Sequence, residues 1–257
     1  MFPEKLINTL QQAQDIVVLT GAGVSAESGI PTFRDALTGL WQRYDVNQLA
    51  CEDGFLSDPA LVWGWYEWRR HRVLKAKPNP AHLTIAKLAK QVPKLTLITQ
   101  NVDDLHERAG SHEVLHLHGS LHQPRCIACE SLYYLPSIDM MQLTTADQEC
   151  RINPPRCSLC GGLIRPGVVW FGEALPTKIW DQAVQASLQC DLMLIVGTSG
   201  LVWPAADLPY QAEKTGSFVV QINPTLTSFN SIAQINLAGK AGELLPQALS
   251  ICISRKQ

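Results

Sequence analysis

Short runs of apolar residues recur along this chain, and segments with the spacing of amphipathic helices separate most of them. Continuous apolar runs of this length are typical of strands in a parallel sheet that is covered by helices on both faces. They predict strands at 15–20, 95–99, 114–117, 192–196 and 218–222, with another apolar stretch at 168–170. Helices are expected at 3–14, 58–75, 80–91, 177–189, 204–215 and 242–252. This alternation predicts an α/β fold with a doubly wound, Rossmann-like parallel sheet.

Two stretches interrupt the alternation, and they predict a second, smaller domain. A chain of 257 residues with 46% hydrophobic content can bury one sizeable core. We therefore expect a single unit over 1–257, whose large domain comprises 1–35, 81–119 and 166–257. The small domain would combine a helical insertion at 36–80 with a zinc-binding insertion at 120–165.

Polar residues and glycines follow the predicted strands at the point where each strand ends. Gly21, Gln100, His118, Gly197 and Asn223 occupy such positions. Ligands of doubly wound sheets bind at the carboxyl ends of the strands. These residues are therefore expected to converge at one edge of the sheet and to form the site.

The segment that follows the first strand is the most informative in the chain. Residues 20–35 read TGAGVSAESGIPTFRD. Gly21 and Gly23, with Ala26 at the third position, match a dinucleotide-binding turn in which backbone N–H groups approach a pyrophosphate. A glycine-rich turn of any α/β protein is the alternative for this motif alone. Residues 28–31 break the helix early, and the following loop carries Phe33, Arg34 and Asp35.

Two Cys-x-x-Cys pairs predict a metal site. The four thiolates of Cys126, Cys129, Cys157 and Cys160 can surround one tetrahedral zinc ion, and a closed set of four is structural and not catalytic. A redox role would need one pair of low pKa, not two matched pairs. Cys150 lies between the pairs and is a competing ligand without a Cys-x-x-Cys partner.

Charge and hydropathy narrow the range of partners. The net charge is −2, and no long basic run is present, so we expect neither nucleic acid nor an anionic membrane surface as a partner. No apolar run approaches the roughly 18 residues that span a bilayer. Because the N-terminus lacks a charged and then apolar leader, we expect a soluble, cytoplasmic protein. We also expect the protein to be a monomer.

Taken together, these motifs resemble the signature of the sirtuins, which are NAD-consuming protein lysine deacylases. Besides 20–35 and the cysteine pairs, the matching segments are 99–103, 117–120, 168–173, 197–199 and 222–223, in the family's order. The resemblance implies NAD as a consumed co-substrate, one structural zinc ion per chain, and acyl-lysine proteins or peptides as substrates.

The resemblance also assigns roles to residues at the strand ends. It makes His118 the base that deprotonates a ribose hydroxyl of NAD, with Asn101 beside it in the catalytic centre. Taken alone, a histidine is more often structural, and Asn101 and Asp103 suit a helix N-cap equally well. The NAD-binding residues implied by the resemblance are Gly21, Ala22, Gly23, Glu27, Phe33, Arg34, Gln100, Asn101, Asp103, His118, Gly197, Thr198, Ser199, Asn223 and Ala241.

In the family's reaction, the acyl oxygen of a modified lysine attacks the ribose carbon as nicotinamide leaves. The products are nicotinamide, free lysine and an acyl ester of ADP-ribose. Residues that match the loop pairing with the substrate backbone are Val169, Trp170, Phe171, Gly172 and Glu173. Such pairing is a strand addition that involves few side chains, so selectivity among target sequences is expected to be weak.

The helix predicted at 58–75 carries a candidate determinant of acyl selectivity. Tyr66 and Arg69 share one face, and they supply a hydroxyl donor and a planar fork suited to a carboxylate. An ordinary amphipathic helix with packed tryptophans is the alternative. The desuccinylase and demalonylase branch of the sirtuins carries such a Tyr-x-x-Arg pair with an upstream alanine, which Ala50 matches. Cys51 departs from that pattern, because relatives more often have threonine there.

Other functions remain compatible with parts of this pattern. Transfer of ADP-ribose to protein, or removal of other acyl groups such as lipoyl, would use the same pocket. A non-catalytic NAD-sensing scaffold held by zinc would be signalled by loss of His118 or Asn101, and both are present. A zinc-dependent hydrolase is disfavoured by the closed set of four cysteines.

Overall fold

A six-stranded parallel sheet forms the centre of the structure. The computed structural model describes residues 2–31, 45–135 and 151–254. The strands are β1 (Asp15–Thr20), β2 (Lys94–Thr99), β3 (Leu115–His116), β4 (Arg125–Cys126), β5 (Ile164–Arg165), β6 (Leu192–Val196), β7 (Phe218–Asn223) and β8 (Ile235–Ala238). The sheet order is β3-β2-β1-β6-β7-β8, while β4 and β5 form a separate antiparallel pair.

Helices connect these strands, and capping residues set where several of them begin. They are α1 (Glu4–Gln12), α2 (Ala22–Ala26), α3 (Val46–Leu49), α4 (Glu52–Ser57), α5 (Pro59–Lys75), α6 (Pro80–Ala89), α7 (Leu105–Arg108), α8 (Thr177–Gln189), α9 (Leu208–Lys214) and α10 (Ala241–Ser254). Asp58 caps α5 by accepting the N–H of Leu61 at 3.1 Å. Within the described ranges, no helix combines the length and the apolar character that a membrane crossing requires.

Both faces of the sheet are covered, which confirms the doubly wound fold. Alternate residues of β1 point to opposite faces, as the two-residue period of a strand requires. Ile16 and Val18 pack into a cluster with residues of α1, α6 and α10. Val17 and Leu19 pack into a second cluster with residues of α8 and α9. All four side chains are fully buried.

A third cluster builds a wall beside the carboxyl edge of the sheet. It joins α3, α4 and α5 to the loops at Leu121 and Val168, with Phe55 and Trp65 fully buried in it. A fourth cluster packs Trp63 of α5 against Cys126, Cys157 and Ile164. These residues belong to the cysteine lobe, the part of the chain that contains the two Cys-x-x-Cys pairs and strands β4 and β5. Helix α5 therefore lies between the sheet edge and that lobe. The division into a large and a small domain stays a prediction.

Three elements differ from the expectation. Strand β8 was not predicted, because its residues alternate between half-buried and exposed positions at the sheet edge and include Asn236. The stretch 168–170 is not a strand, since it forms a single bridge between Val168 and Gly119. The helix expected at 204–215 is a 3-10 turn over Ala205–Asp207 followed by α9, where Pro209 occupies the first turn.

Candidate active site

The turns that follow β1 and β6 pack directly against each other. The N–H of Gly23 donates to the carbonyl of Gly197 at 2.8 Å. A Cβ atom on Gly23 would lie 2.7 Å from that carbonyl oxygen, and Gly197 itself has a φ of +63°. The glycines of the motif are therefore required for the contact between two turns. Sequence reasoning attributed them to the approach of a pyrophosphate and missed this contact.

A cavity of about 270 Å³ opens at the carboxyl edge of the sheet. Most of the predicted site residues line it, and they come from both the strand ends and the wall. They are Ala22, Ala50, Tyr66, Arg69, Gln100, Asn101, Asp103, His118, Val169, Trp170, Phe171, Gly172 and Glu173. Those that do not line it are Gly21, Gly23, Glu27, Gly197, Thr198, Ser199, Asn223 and Ala241. Phe33, Arg34 and Asp35 lie outside the described residues.

His118 has the geometry of a neutral base. Its Nδ1 lies 2.9 Å from the carbonyl oxygen of Gln100, so Nδ1 carries the proton and donates it. Nε2 is consequently left with a lone pair in the cavity. Burial lowers the pKa of His118, and the hydrogen bond to Gln100 opposes that shift only in part. The imidazole is thus neutral near pH 7 and able to accept a proton.

His116, two residues earlier, has the opposite electrostatic surroundings. Its Nδ1 lies 3.1 Å from the carbonyl oxygen of Asn101, and its Nε2 lies 2.6 Å from a carboxylate oxygen of Glu107. Burial alone would lower the pKa of His116, but the Glu107 carboxylate outweighs it and raises the pKa. Of the two rings, His118 is therefore the one suited to act as a base.

Ser25 links the two polar residues that follow β2. Its hydroxyl donates to Oδ2 of Asp103 at 2.9 Å and accepts from Nδ2 of Asn101 at 3.0 Å. All three side chains are buried, and burial raises the pKa of Asp103. The cap interpretation holds in part, because Oδ1 of Asp103 also accepts the N–H of Leu105 at the start of α7. Sequence reasoning missed Ser25, although it lies within the glycine-rich motif.

Gln100 provides an amide donor that fits a polar ligand. Its Oε1 accepts the hydroxyl of Thr198 at 3.1 Å, which ties the end of β2 to the end of β6. Its Nε2 is buried and has no hydrogen-bond partner among the described residues. A dinucleotide, which is rich in hydroxyl and phosphate oxygens, would supply the missing acceptor. This orphaned donor therefore fits an NAD site.

Glu27 contacts the first turn of the last helix, which begins at Ala241. Oε1 of Glu27 accepts the N–H of Gly242 at 3.0 Å. A carboxylate at this position stabilises the unsatisfied N–H groups of a helix N-terminus. The contact joins α2 to α10 across the carboxyl edge of the sheet, outside the cavity.

Tyr66 and Arg69 lie in the wall of the cavity. Tyr66 is only 4% exposed, and its Oη accepts the indole N–H of Trp170 at 3.1 Å. Burial raises the pKa of Tyr66 to about 12, so its hydroxyl stays protonated. The guanidinium carbon of Arg69 lies 4.9 Å from the Trp65 ring centroid. Burial lowers the pKa of Arg69, but a guanidinium remains charged in proteins.

The loop at 168–173 is fixed to the rest of the site by its backbone. The N–H of Val169 donates to the carbonyl of His118 at 2.8 Å, and the N–H of Phe171 donates to that of Ala50 at 2.9 Å. Among the described residues, no hydrogen bond involves the carbonyl of Val169 or the N–H of Gly172. These two groups are available to an incoming strand.

The four cysteines form a site with the dimensions of a zinc centre. Their Sγ atoms all lie within 4.8 Å of one another, with separations of 3.4 Å between Cys126 and Cys160 and 3.7 Å between Cys129 and Cys157. Tetrahedral Zn–S bonds imply a separation of about 3.8 Å. The donor set fits zinc and leaves no open coordination position. Cys150 lies outside the described residues.

Comparison with known proteins agrees with this geometry. The model of the Sir2 family matches residues 21–204. An NAD-dependent protein deacylase of Methylococcus capsulatus is 58% identical over 96% of each chain. NAD-dependent protein deacylase 1 of Pseudomonas aeruginosa is 54% identical, over 95% of this chain and 96% of the relative.

Solved structures give the same result. A Sir2 homolog–NAD complex superposes with a TM-score of 0.90 at 43% identity, covering 100% of this chain and 96% of that one. A Sir2–p53 peptide–NAD+ complex superposes with a TM-score of 0.82 at 33% identity, covering 98% of both chains. The motifs, the cavity and these matches together place the chain in the Sir2 family of NAD-dependent protein deacylases.

Proposed function

We propose that this enzyme removes succinyl, malonyl and acetyl groups from protein lysines, yielding nicotinamide and O-acyl-ADP-ribose. The observation that carries the proposal is the presence of Tyr66 and Arg69 in the cavity that also contains His118. A base for the reaction and a cation for a distal carboxylate thus line one cavity. The coarser activity, NAD-dependent protein deacylation, is that of the family.

His118 acts as the general base. When bound, NAD supplies the ribose carbon that accepts the acyl oxygen and the ribose hydroxyl that must lose a proton. Because Nδ1 donates to Gln100, Nε2 is the atom that takes this proton. The lowered pKa keeps Nε2 unprotonated and ready near neutral pH.

Asn101, Asp103 and Ser25 hold the nicotinamide end of NAD. Their mutual hydrogen bonds fix the side chains before a ligand binds, which reduces the entropy lost on binding. The orphaned Nε2 of Gln100 binds an oxygen of the same ligand. The loop at 168–173 pairs with the backbone of the acyl-lysine peptide, as the free carbonyl of Val169 supports.

Acyl selectivity arises from the positive charge of Arg69, which lines the cavity together with Tyr66. Succinyl and malonyl groups end in a carboxylate, which the Arg69 guanidinium binds with charge-assisted hydrogen bonds and the Tyr66 hydroxyl binds as a neutral donor. An acetyl group lacks this carboxylate and leaves both donors without that partner. Sites built around such polar groups discriminate strongly against analogues that cannot pair with them.

The substitution Arg69→Met tests the proposal. One peptide, prepared in acetyl-lysine and succinyl-lysine forms, is incubated with and without NAD, and the products are followed by mass spectrometry. We expect loss of desuccinylation while NAD-dependent deacetylation survives. The matched variant Arg69→Lys keeps the charge but loses the planar fork, so it should retain part of the desuccinylase activity.

Three other outcomes would contradict the proposal. If Arg69→Met loses desuccinylation and deacetylation equally, Arg69 does not bind the acyl carboxylate. If the unmodified enzyme removes only acetyl groups, it is a deacetylase in which Tyr66 and Arg69 do not bind an acyl carboxylate. If neither peptide reacts while NAD still binds, ADP-ribose transfer or a non-catalytic NAD-sensing role becomes the better explanation.

A further inference from the structure

Trp170 belongs to the loop at 168–173, which we expect to bind the peptide backbone. Its side chain points away from that loop. It is only 2% exposed, and its ring centroid lies 5.4 Å from that of Phe55. Its indole N–H reaches Oη of Tyr66 at 3.1 Å. A residue assigned by sequence to peptide binding therefore contacts the acyl pocket through its side chain.

The direction of this hydrogen bond constrains the Tyr66 hydroxyl. An indole N–H can only donate, so Tyr66 Oη must accept. The phenolic hydrogen then has to point away from Trp170, because two hydrogens cannot share that position. Among the described residues, no acceptor is hydrogen-bonded to this hydroxyl. Its hydrogen is consequently available to a ligand in the cavity that Tyr66 lines.

The other side of Trp170 is held by a partly buried ion pair. The guanidinium carbon of Arg165 lies 3.5 Å from the Trp170 ring centroid, and both terminal nitrogens of Arg165 bond the carboxylate of Glu173. Oε2 of Glu173 also accepts the backbone N–H of Trp170 at 2.8 Å. The ring and the backbone of Trp170 are thus both fixed, and the indole N–H is held in place toward Tyr66.

We propose that Trp170 is a positioning residue for acyl selectivity, acting through Tyr66. Its N–H keeps the Tyr66 hydroxyl as a donor to the distal carboxylate of succinyl-lysine or malonyl-lysine. Glu173 and Arg165 fix Trp170, so the loop that binds the peptide backbone and the pocket that reads the acyl group form one connected unit. This inference rests on the proposed function of Tyr66 and Arg69.

A double-mutant cycle tests the inference. Trp170→Phe removes the N–H but keeps an aromatic ring for Phe55 and Arg165. We measure kcat and KM for succinyl-lysine and acetyl-lysine forms of one peptide with Trp170→Phe, Tyr66→Phe and the double variant. Trp170→Phe should lower the succinyl-to-acetyl ratio of kcat/KM about five- to tenfold, mainly through KM for the succinyl peptide. The double variant should have the same ratio as Tyr66→Phe alone.

The outcomes separate this inference from the proposed function. If Tyr66→Phe leaves the ratio unchanged, the acyl-carboxylate role of Tyr66 itself is wrong. If Tyr66→Phe lowers the ratio and Trp170→Phe does not, only the role of Trp170 is overturned. A ratio that falls further in the double variant also overturns it.

A second variant covers the case in which Trp170→Phe fails to fold. Benzothienylalanine at position 170 has the shape of tryptophan but carries sulfur in place of the N–H. A circular dichroism melt establishes folding of each variant before kinetics. The benzothienyl variant should reproduce the lowered ratio, and an unchanged ratio would contradict the inference.

Discussion

Two histidines two residues apart show how residue identity alone leaves a role undecided. His116 and His118 hydrogen-bond the backbone carbonyls of consecutive residues, Asn101 and Gln100. Within the described part of the chain, only His116 has a carboxylate, that of Glu107, on its second nitrogen. That difference raises the pKa of one ring while burial lowers that of the other. Neighbours from distant parts of the chain therefore set the chemistry of each ring.

The pH profile of the enzyme follows from His118. In its proposed role as a base the ring must be neutral, and burial lowers its pKa below the ordinary value of 6.5. We expect the acidic limb of kcat/KM for an acetyl-lysine peptide to be centred below pH 6.5, because the pKa of His118 is lowered from that value. Steady-state kinetics between about pH 5 and 8 measure this.

A variant assigns the acidic limb to this residue. His118→Asn should lower kcat/KM by about 10²- to 10⁴-fold. NAD binding, measured by calorimetry, should persist, because Asn101, Asp103 and Gln100 remain. A limb centred above pH 6.5 in the unmodified enzyme would contradict the role of a buried neutral base.

At the scale of elements, helix α6 is built around a buried histidine. Nδ1 of His82 accepts the backbone N–H of Asn79 at 3.3 Å, and the Asn79 side chain accepts the N–H of Ala81 at 2.9 Å. His82 is fully buried against the His106 ring, whose centroid lies 4.8 Å away. Protonation of Nδ1 would remove the acceptor for the Asn79 N–H and so break one half of this capping box.

Stability should therefore fall in mild acid. Burial lowers the pKa of His82 to about 4 from 6.5, so the unfolded chain binds the proton first as pH falls. The free energy of unfolding decreases between these two values, with a loss of about 2 kcal/mol at pH 5 from this group. Urea denaturation at several pH values measures the slope. His82→Gln should flatten it, while a change at the exposed His112 should not.

At the scale of the whole molecule, the cysteine lobe packs against the helix that forms one wall of the cavity. Trp63 packs against Cys126, Cys157 and Ile164, while Tyr66, on the same helix, lines the cavity. Loss of the metal would free the cysteines and remove the packing partner of Trp63. The zinc ion thus acts on the site through helix α5 and takes no part in the chemistry.

Removal of zinc should unfold the lobe and lower activity together. In a domain of this size each kcal/mol shifts Tm by about 2–4 °C, so loss of a structural metal that contributes about 10 kcal/mol should lower Tm by more than about 20 °C. Cys129→Ser should bind no stoichiometric zinc by elemental analysis and melt early. Cys51→Ser is the control, because Cys51 lies outside the cluster and serine can also cap α4. A Cys129→Ser protein with unchanged Tm would contradict the structural role.

The sequence by itself determined the doubly wound sheet, the metal site and half of the residues that line the cavity. Apolar runs, helix caps and Cys-x-x-Cys pairs depend on residues that are close together in sequence. The sequence alone is therefore enough to recognise them. The edge strand β8 was not predicted, because its residues alternate between half-buried and exposed positions and form no continuous apolar run.

The tertiary structure alone decided which side chains meet. Ser25 bonds a residue 78 positions away, and Trp170 donates to Tyr66 across 104 positions. No periodicity encodes such pairs, because they depend on how distant elements pack against one another. Burial has the same origin, and it lowers the pKa of the His118 ring and raises that of the Tyr66 hydroxyl. Residue types were therefore readable from the sequence, whereas their partners, pKa values and orientations required the fold.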